Sequence, residues 1–155
     1  MRLLVLAIGK PRDAALAAAA HEYETRAARY WPLEVHEVRE ESGRGLPPDA
    51  VRQREGARLL ERCPPSARLV ACDERGKQLT SDAFASLLRD ARDRAQDLAF
   101  VIGGAHGLDE SVRTRAATLL GFCTWTLPHE LARVVLAEQI YRAGTIVRGE
   151  PYHKS

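Results

Sequence analysis

Four segments of this chain carry side chains able to bind, stack or exchange protons. Gly103-Gly104-Ala105-His106-Gly107 follows an apolar run, where glycines let the backbone take positive φ and approach a ligand closely. Taken alone, it serves equally as a tight strand-to-helix turn. Thr124-Trp125-Thr126-Leu127-Pro128-His129 sets a proline after a strand-like stretch. That leaves carbonyl and amide groups without ladder partners, which suits an adenine edge or a ribose. Trp125 also fits a core or interface aromatic, and His129 a plain helix start. Glu138 precedes Arg142 by four, the favourable order for a helical ion pair, on the face shared with Leu131 and Val135. On a surface such a pair is worth only about 0.3–0.5 kcal/mol. Val134, Val135, Leu136 and Ile140 make this helix apolar over most of its circumference, which suggests an interface. Last, Pro151-Tyr152-His153-Lys154 offers a stacking ring, an imidazole and a cation in succession, the groups that hold a base and a phosphate. A solvated terminus is the alternative.

These segments need elements to hold them. Leu3 to Ile8 is a continuous apolar run ending at Gly9, as in a strand buried on both faces. Residues Ala14 to Tyr30 read as an alanine-rich helix, and Leu33 to Val38 alternates like a half-buried strand near an edge. A polar loop from Glu40 to Pro48, with Ser42-Gly43-Arg44-Gly45, reads as a mobile feature. A helix from Asp49, its N-cap, to Arg62 follows. Arg68 to Asp73 is a third strand with a turn at Gly76, and Thr80 or Ser81 caps a helix running towards Gln96. Leu98 to Ile102 is a fourth strand, Asp109 to Leu120 a short helix and Phe122 to Leu127 a fifth strand. From Pro128 to Val147 the pattern is helical again. Strand and helix alternate throughout, which predicts a single α/β domain over 1–155 with a mostly parallel sheet flanked by helices. Ligands of such sheets bind beyond the carboxyl ends of the strands, at Cys72-Asp73, Gly103-Gly104 and Thr124 to His129.

The totals exclude several classes. With 155 residues, 45% hydrophobic and 28% charged, the chain has the composition of a globular domain, not of a disordered segment. A formal charge of +2 permits an RNA partner without demanding one. Cys63, Cys72 and Cys123 lack metal-ligand spacing and read as reduced thiols, so no metal is expected. Lys10 and Arg12 after the first apolar run, without a cleavage site, favour a strand over a signal peptide. No apolar stretch is long enough for a bilayer, and the expectation is a cytoplasmic protein without a membrane partner. Gly9-Lys10-Pro11 is no dinucleotide fingerprint, and no phosphate-loop motif occurs.

The segments occur together, in order, in one family. The chain resembles the ribosomal large-subunit pseudouridine N3-methyltransferases, a minimal branch of the SPOUT methyltransferases. The match rests on Ile102-Gly103-Gly104, Gly107-Leu108, Thr126-Leu127-Pro128-His129, Leu131, Arg133-Val134, the run Ala137 to Ala143, and Pro151-Tyr152-His153, with Gly43-Arg44-Gly45 earlier. The resemblance implies S-adenosylmethionine as methyl donor, approached by Gly103 and Gly104. Cys72 and the segment Cys123, Thr124, Trp125, Thr126, Leu127 and Pro128 would surround the adenosine. Cys72 stands where relatives carry leucine, which implies apolar packing. His106 occupies a variable spot and gains no role.

It further implies a homodimer with the site beside the subunit interface and a trefoil knot at the C-terminal end. The implied substrate is a pseudouridine in helix 69 of 23S rRNA within the assembled 70S ribosome. His129, Arg142, Tyr152 and His153 are then assigned to the RNA base and its phosphates, and Glu138 orders Arg142. His153 is the first candidate for proton acceptor. Arg44, Arg52, Arg54 and Arg58 fit rim contacts to RNA and, equally, a solvated helix face. The rival readings are a ribosome-binding factor without catalysis and a flavodoxin-like oxidoreductase.

Overall fold

The computed structural model describes residues 1–152. Its elements are β1 (Leu3–Ile8), α1 (Ala14–Ala27), β2 (Leu33–Val38), α2 (Pro48–Arg62), β3 (Arg68–Gln78), α3 (Ser81–Asp93), β4 (Leu98–Ile102), α4 (Glu110–Arg115), β5 (Thr118–Gly121) and α5 (His129–Arg148). The strands form one five-stranded sheet in the order β2-β1-β4-β3-β5, and every pairing is parallel. All strand exits therefore open on one side. The alternating strand β2 is an edge, as its pattern indicates, while β1 and β4 are buried throughout.

The pleat divides β1 between two cores. Leu3, Val5 and Ala7 join Trp31, Phe84, Leu88, Leu136 and Ile140 beneath α1, α3 and α5. Leu4, Leu6 and Ile8 join Leu59, Leu108 and Val112 beneath α2 and α4. Leu136 and Ile140 are fully buried, each worth roughly 1.5–3 kcal/mol of apolar transfer.

The structure shifts several boundaries, each for a local reason. Helix α1 stops at Ala27, because Trp31 turns inward to donate its indole N–H to the Ile140 carbonyl at 3.0 Å and Pro32 follows. Pro48, not Asp49, opens α2, since proline at the first helical position forfeits an N–H that has no intrahelical partner. The largest correction concerns the fifth strand. Residues 118–121, expected at the end of a helix, form β5, and Phe122 to Leu127 is loop. The Ala117 N–H donates to the Leu69 carbonyl at 2.9 Å and delivers Thr118 to Leu120 alongside β3. Among the described residues the stretch after it, Phe122 to Leu127, makes no ladder pairing.

Strand β3 also outlasts its expected end at Asp73. Both Cys72 and Lys77 register with Leu120, so residues 73–76 bulge out of the ladder. The bulge returns at Gly76, where a Cβ would lie 2.4 Å from the Leu120 carbonyl carbon and 2.5 Å from the Gly121 nitrogen. Only glycine permits that backbone-to-backbone contact.

Helix α5 is tied across the sheet edge by one cation. The Arg133 side chain, 10% exposed, donates to Glu24 of α1 at 2.7 and 3.3 Å and to Glu37 of β2 at 3.0 Å. Removing this cation strands two partly buried carboxylates. Arg133→Ala should therefore cost about 3 kcal/mol or more in urea unfolding, well beyond a surface ion pair.

Candidate functional site: a cleft at the strand exits

The exits of β3, β4 and β5 and the start of α5 enclose a cleft of about 760 Å³. Its floor is the glycine turn. A Cβ on Gly103 would lie 2.7 Å from the Gly107 carbonyl, and Gly107 takes φ of 79° while its N–H donates to the Gly104 carbonyl at 3.1 Å. The turn therefore folds tightly on itself and presents bare backbone to the cleft.

One wall is the end of β3. Burial pushes the Cys72 thiol up, so it faces the cleft as a neutral, weakly polar group. Beside it the Asp73 side chain is nearly buried and accepts from the Arg75 N–H at 2.9 Å and from Arg113 Nε at 2.6 Å. Burial opposes ionisation of Asp73, but the Arg75 N–H and the Arg113 guanidinium outweigh it and hold the carboxyl below the ordinary carboxylate range. The facing wall is the loop after β5. Cys123, Trp125, Thr126, Leu127 and Pro128 line the cleft, and the Thr126 hydroxyl donates to Glu74 at 2.6 Å across it. Trp125 is 79% exposed, an aromatic plate at the rim and not a core residue. Thr124 does not line the cleft.

His129 opens α5 at the cleft edge. The other predicted polar residues lie elsewhere on that helix. Arg142 donates to Glu138 Oε1 at 3.0 Å from Nε and 2.7 Å from Nη2. The Tyr152 hydroxyl donates to the same oxygen at 3.1 Å, and the Arg142 guanidinium lies 4.9 Å from the Tyr152 ring centre. The Glu138 carboxylate raises Arg142 above the ordinary arginine value. Burial, then hydrogen bonds with Tyr23 and Glu138, push the Tyr152 hydroxyl up and keep it a neutral donor. Tyr152 also packs on Tyr141 with ring centres 4.6 Å apart, so the tail up to this residue is docked. His153 lies outside the described residues.

Within one chain these groups do not converge. At 1.5 Å per residue, Glu138 stands roughly 13 Å and Arg142 roughly 20 Å along α5 from His129. The predicted residues fall into two separate groups: a backbone-lined cleft and a cationic, aromatic patch.

The sequence marks the strand exit at Cys72-Asp73 but neither Glu74 nor Arg113 as a cleft residue. The strand exit at Asp73 was the available signal, but its partner Arg113 lies 40 positions away. The suggested basic rim is largely engaged internally. Arg58 pairs with Glu41 at 2.7 Å and Arg54 at 3.8 Å, while Arg52 pairs with Asp49 and reaches the His106 carbonyl at 3.4 Å. Arg44 is exposed and has no ion pair among the described residues.

The family model described as a predicted SPOUT methyltransferase matches residues 1–153. The chain belongs to the SPOUT methyltransferases. Among curated relatives, the ribosomal RNA large subunit methyltransferase H of Gemmatimonas aurantiaca is 58% identical over 154 residues, spanning 99% of this chain and 100% of the relative. The protein of the same name from Geobacter metallireducens is 46% identical and matches over the full length of both. Among solved structures, TrmJ from Z. mobilis superposes with a TM-score of 0.55 at 12% identity, over 99% of this chain and 73% of that one, a likeness of fold.

In this SPOUT methyltransferase the Asp73 pair stabilises the cleft wall, and its pH dependence follows from the sign of the shift. The folded carboxyl titrates below its unfolded value, so its contribution is full above about pH 4 and is lost as pH falls through the depressed value. Asp73→Asn should thus unfold more easily than wild type at pH 7, with the gap closing at pH 3 in urea titrations.

Proposed function

We propose that this chain transfers the methyl group of S-adenosylmethionine to N3 of a pseudouridine in helix 69 of 23S rRNA, on the assembled 70S ribosome in the cytoplasm. It acts as a homodimer whose site joins the cleft of one subunit to the α5 patch of the other. The observation that carries this reading is the separation of the two half-sites along α5, which a second copy can bridge. The names of the relatives, ribosomal RNA large subunit methyltransferases, support rRNA as the substrate. The C-terminal knot implied by the family belongs to the same reading.

The cleft suits the methyl donor. Gly103 and Gly104 line the floor with main chain on which an adenosine or methionine moiety can lie, Cys72 and Leu127 supply apolar walls, and the loop from Cys123 to Pro128 offers main-chain groups outside the sheet ladder for the base. When bound, S-adenosylmethionine supplies a sulfonium-linked methyl open to in-line displacement. The chain's own residues then have three tasks: to align the base, to hold its phosphates and to let N3 lose its proton. Arg142, braced by Glu138, is a fixed cation for phosphate or a base carbonyl. Tyr152 supplies a ring for stacking, and His129 marks where base and cleft meet. His153, outside the described residues, is the first candidate for proton acceptor.

Two experiments test this. Calorimetry should show one S-adenosylmethionine per chain, with affinity lowered about tenfold or more by Gly103→Val. Mass spectrometry of 23S rRNA from a strain lacking the chain should show the pseudouridine unmethylated. For the dimer, Gly103→Val and Arg142→Ala chains should each be inactive. Co-expressed, they should recover up to about a quarter of the wild-type rate, because each mixed dimer retains one intact composite site. No recovery on mixing means that the site lies within a single chain.

A further inference from the structure

On α2 the buried face recurs every four positions at Val51, Glu55 and Leu59. The middle position, where the pattern calls for hydrocarbon, is a carboxylate only 4% exposed. Glu55 Oε1 accepts the Glu41 N–H at 2.9 Å. Among the described residues Oε2 has no hydrogen-bond partner, and Glu55 forms no ion pair. That oxygen lies against the cleft floor from behind. A Cβ on Gly104 would sit 2.8 Å from Oε2, 3.3 Å from Oε1 and 3.0 Å from the Ile8 side chain.

A buried acceptor without a donor is costly, and a glutamine, which keeps an oxygen for the Glu41 N–H, would fill the space at lower cost. Stability therefore does not explain this residue. Its two oxygens face two different functional segments. Oε2 meets the glycine turn, while Oε1 holds Glu41 in the loop that carries Gly43-Arg44-Gly45. That loop is further braced where Arg58 donates to the Glu41 side chain at 2.7 Å and to the Arg39 carbonyl at 2.9 Å.

We propose that Glu55 is a positioning residue for methyl transfer. Its carboxylate backs the Gly103–Gly104 turn and ties it to the Arg44 loop, and filling of the cleft brings a turn N–H onto Oε2. The unbound chain holds an acceptor in reserve, and donor binding satisfies it. The proposal rests on the cleft being the methyl-donor site.

The test compares wild type with Glu55→Gln and Glu55→Leu by thermal unfolding and by calorimetry with S-adenosylmethionine. Both variants remove the unpartnered Oε2, and Glu55→Gln keeps an oxygen for the Glu41 N–H, so the Tm of Glu55→Gln should equal or exceed that of wild type. Both lack the carboxylate, so donor affinity should fall about tenfold, the equivalent of one hydrogen bond to a charged acceptor. A fall in affinity with Tm maintained is the signature of positioning. Unchanged affinity in both variants overturns the proposal, as does a loss of stability that parallels the loss of affinity, since that marks a scaffold role. Wild type that binds no S-adenosylmethionine removes the cleft assignment itself, and the Glu55 role with it. Wild type that binds beside variants that bind equally well removes Glu55 alone.

Discussion

The cleft edge and the cationic patch both depend on where α5 lies, and Arg133 ties that helix to its neighbours. A guanidinium held by Glu24 and Glu37 joins the last helix to the first helix and to the edge strand. Arginine suits the place because its planar fork can meet two carboxylates from different elements at once. Apolar packing by Leu136 and Ile140 sets how deeply the helix sits, but non-directional burial would leave it free to slide along its axis. The ion pairs supply the missing register.

That register matters because α5 serves two sites. Its first turn closes the cleft at His129, and its later turns display Glu138 and Arg142 with Tyr152 folded back over them. Gly144 completes the arrangement. A Cβ there would sit 2.4 Å from the Tyr30 ring, so the helix can lie directly against that aromatic. Tyr30 in turn hydrogen-bonds Glu150 just after the helix ends. The segment after α5 is thus turned back towards the helix, where Tyr152 meets Glu138.

Much of this was legible in the sequence because the determining signals are local. Continuous apolar runs mark β1 and β4, alternation marks β2 as an edge, and the glycine turn follows its strand directly. The i,i+4 spacing of Glu138 and Arg142 gives their ion pair. What escaped was non-local. The apolar pair Leu119-Leu120 looks like a helix end until β3 is known to lie beside it. The bulge at 73–76 needs Gly76 to meet Gly121, two residues 45 positions apart. Arg133 carries no local mark of its partners, and Glu55 reads as an ordinary polar residue until its surroundings are seen. The cleft's motifs announced themselves; the residues that hold those motifs in place did not.

The order of the strands also bears on how the molecule comes into being. In the order β2-β1-β4-β3-β5 the central strand β4 is made after β1, β2 and β3, and α5 follows β5. The β1-α1-β2 unit can pair early, but β1 and β3 gain their shared neighbour only with β4, so the sheet waits for distant contacts. Trp31, Leu136 and Ile140 meet only when the final helix has emerged. The core under α5 and the cleft edge at His129 are therefore completed together, once α5 is made. A chain made only as far as β5 has neither.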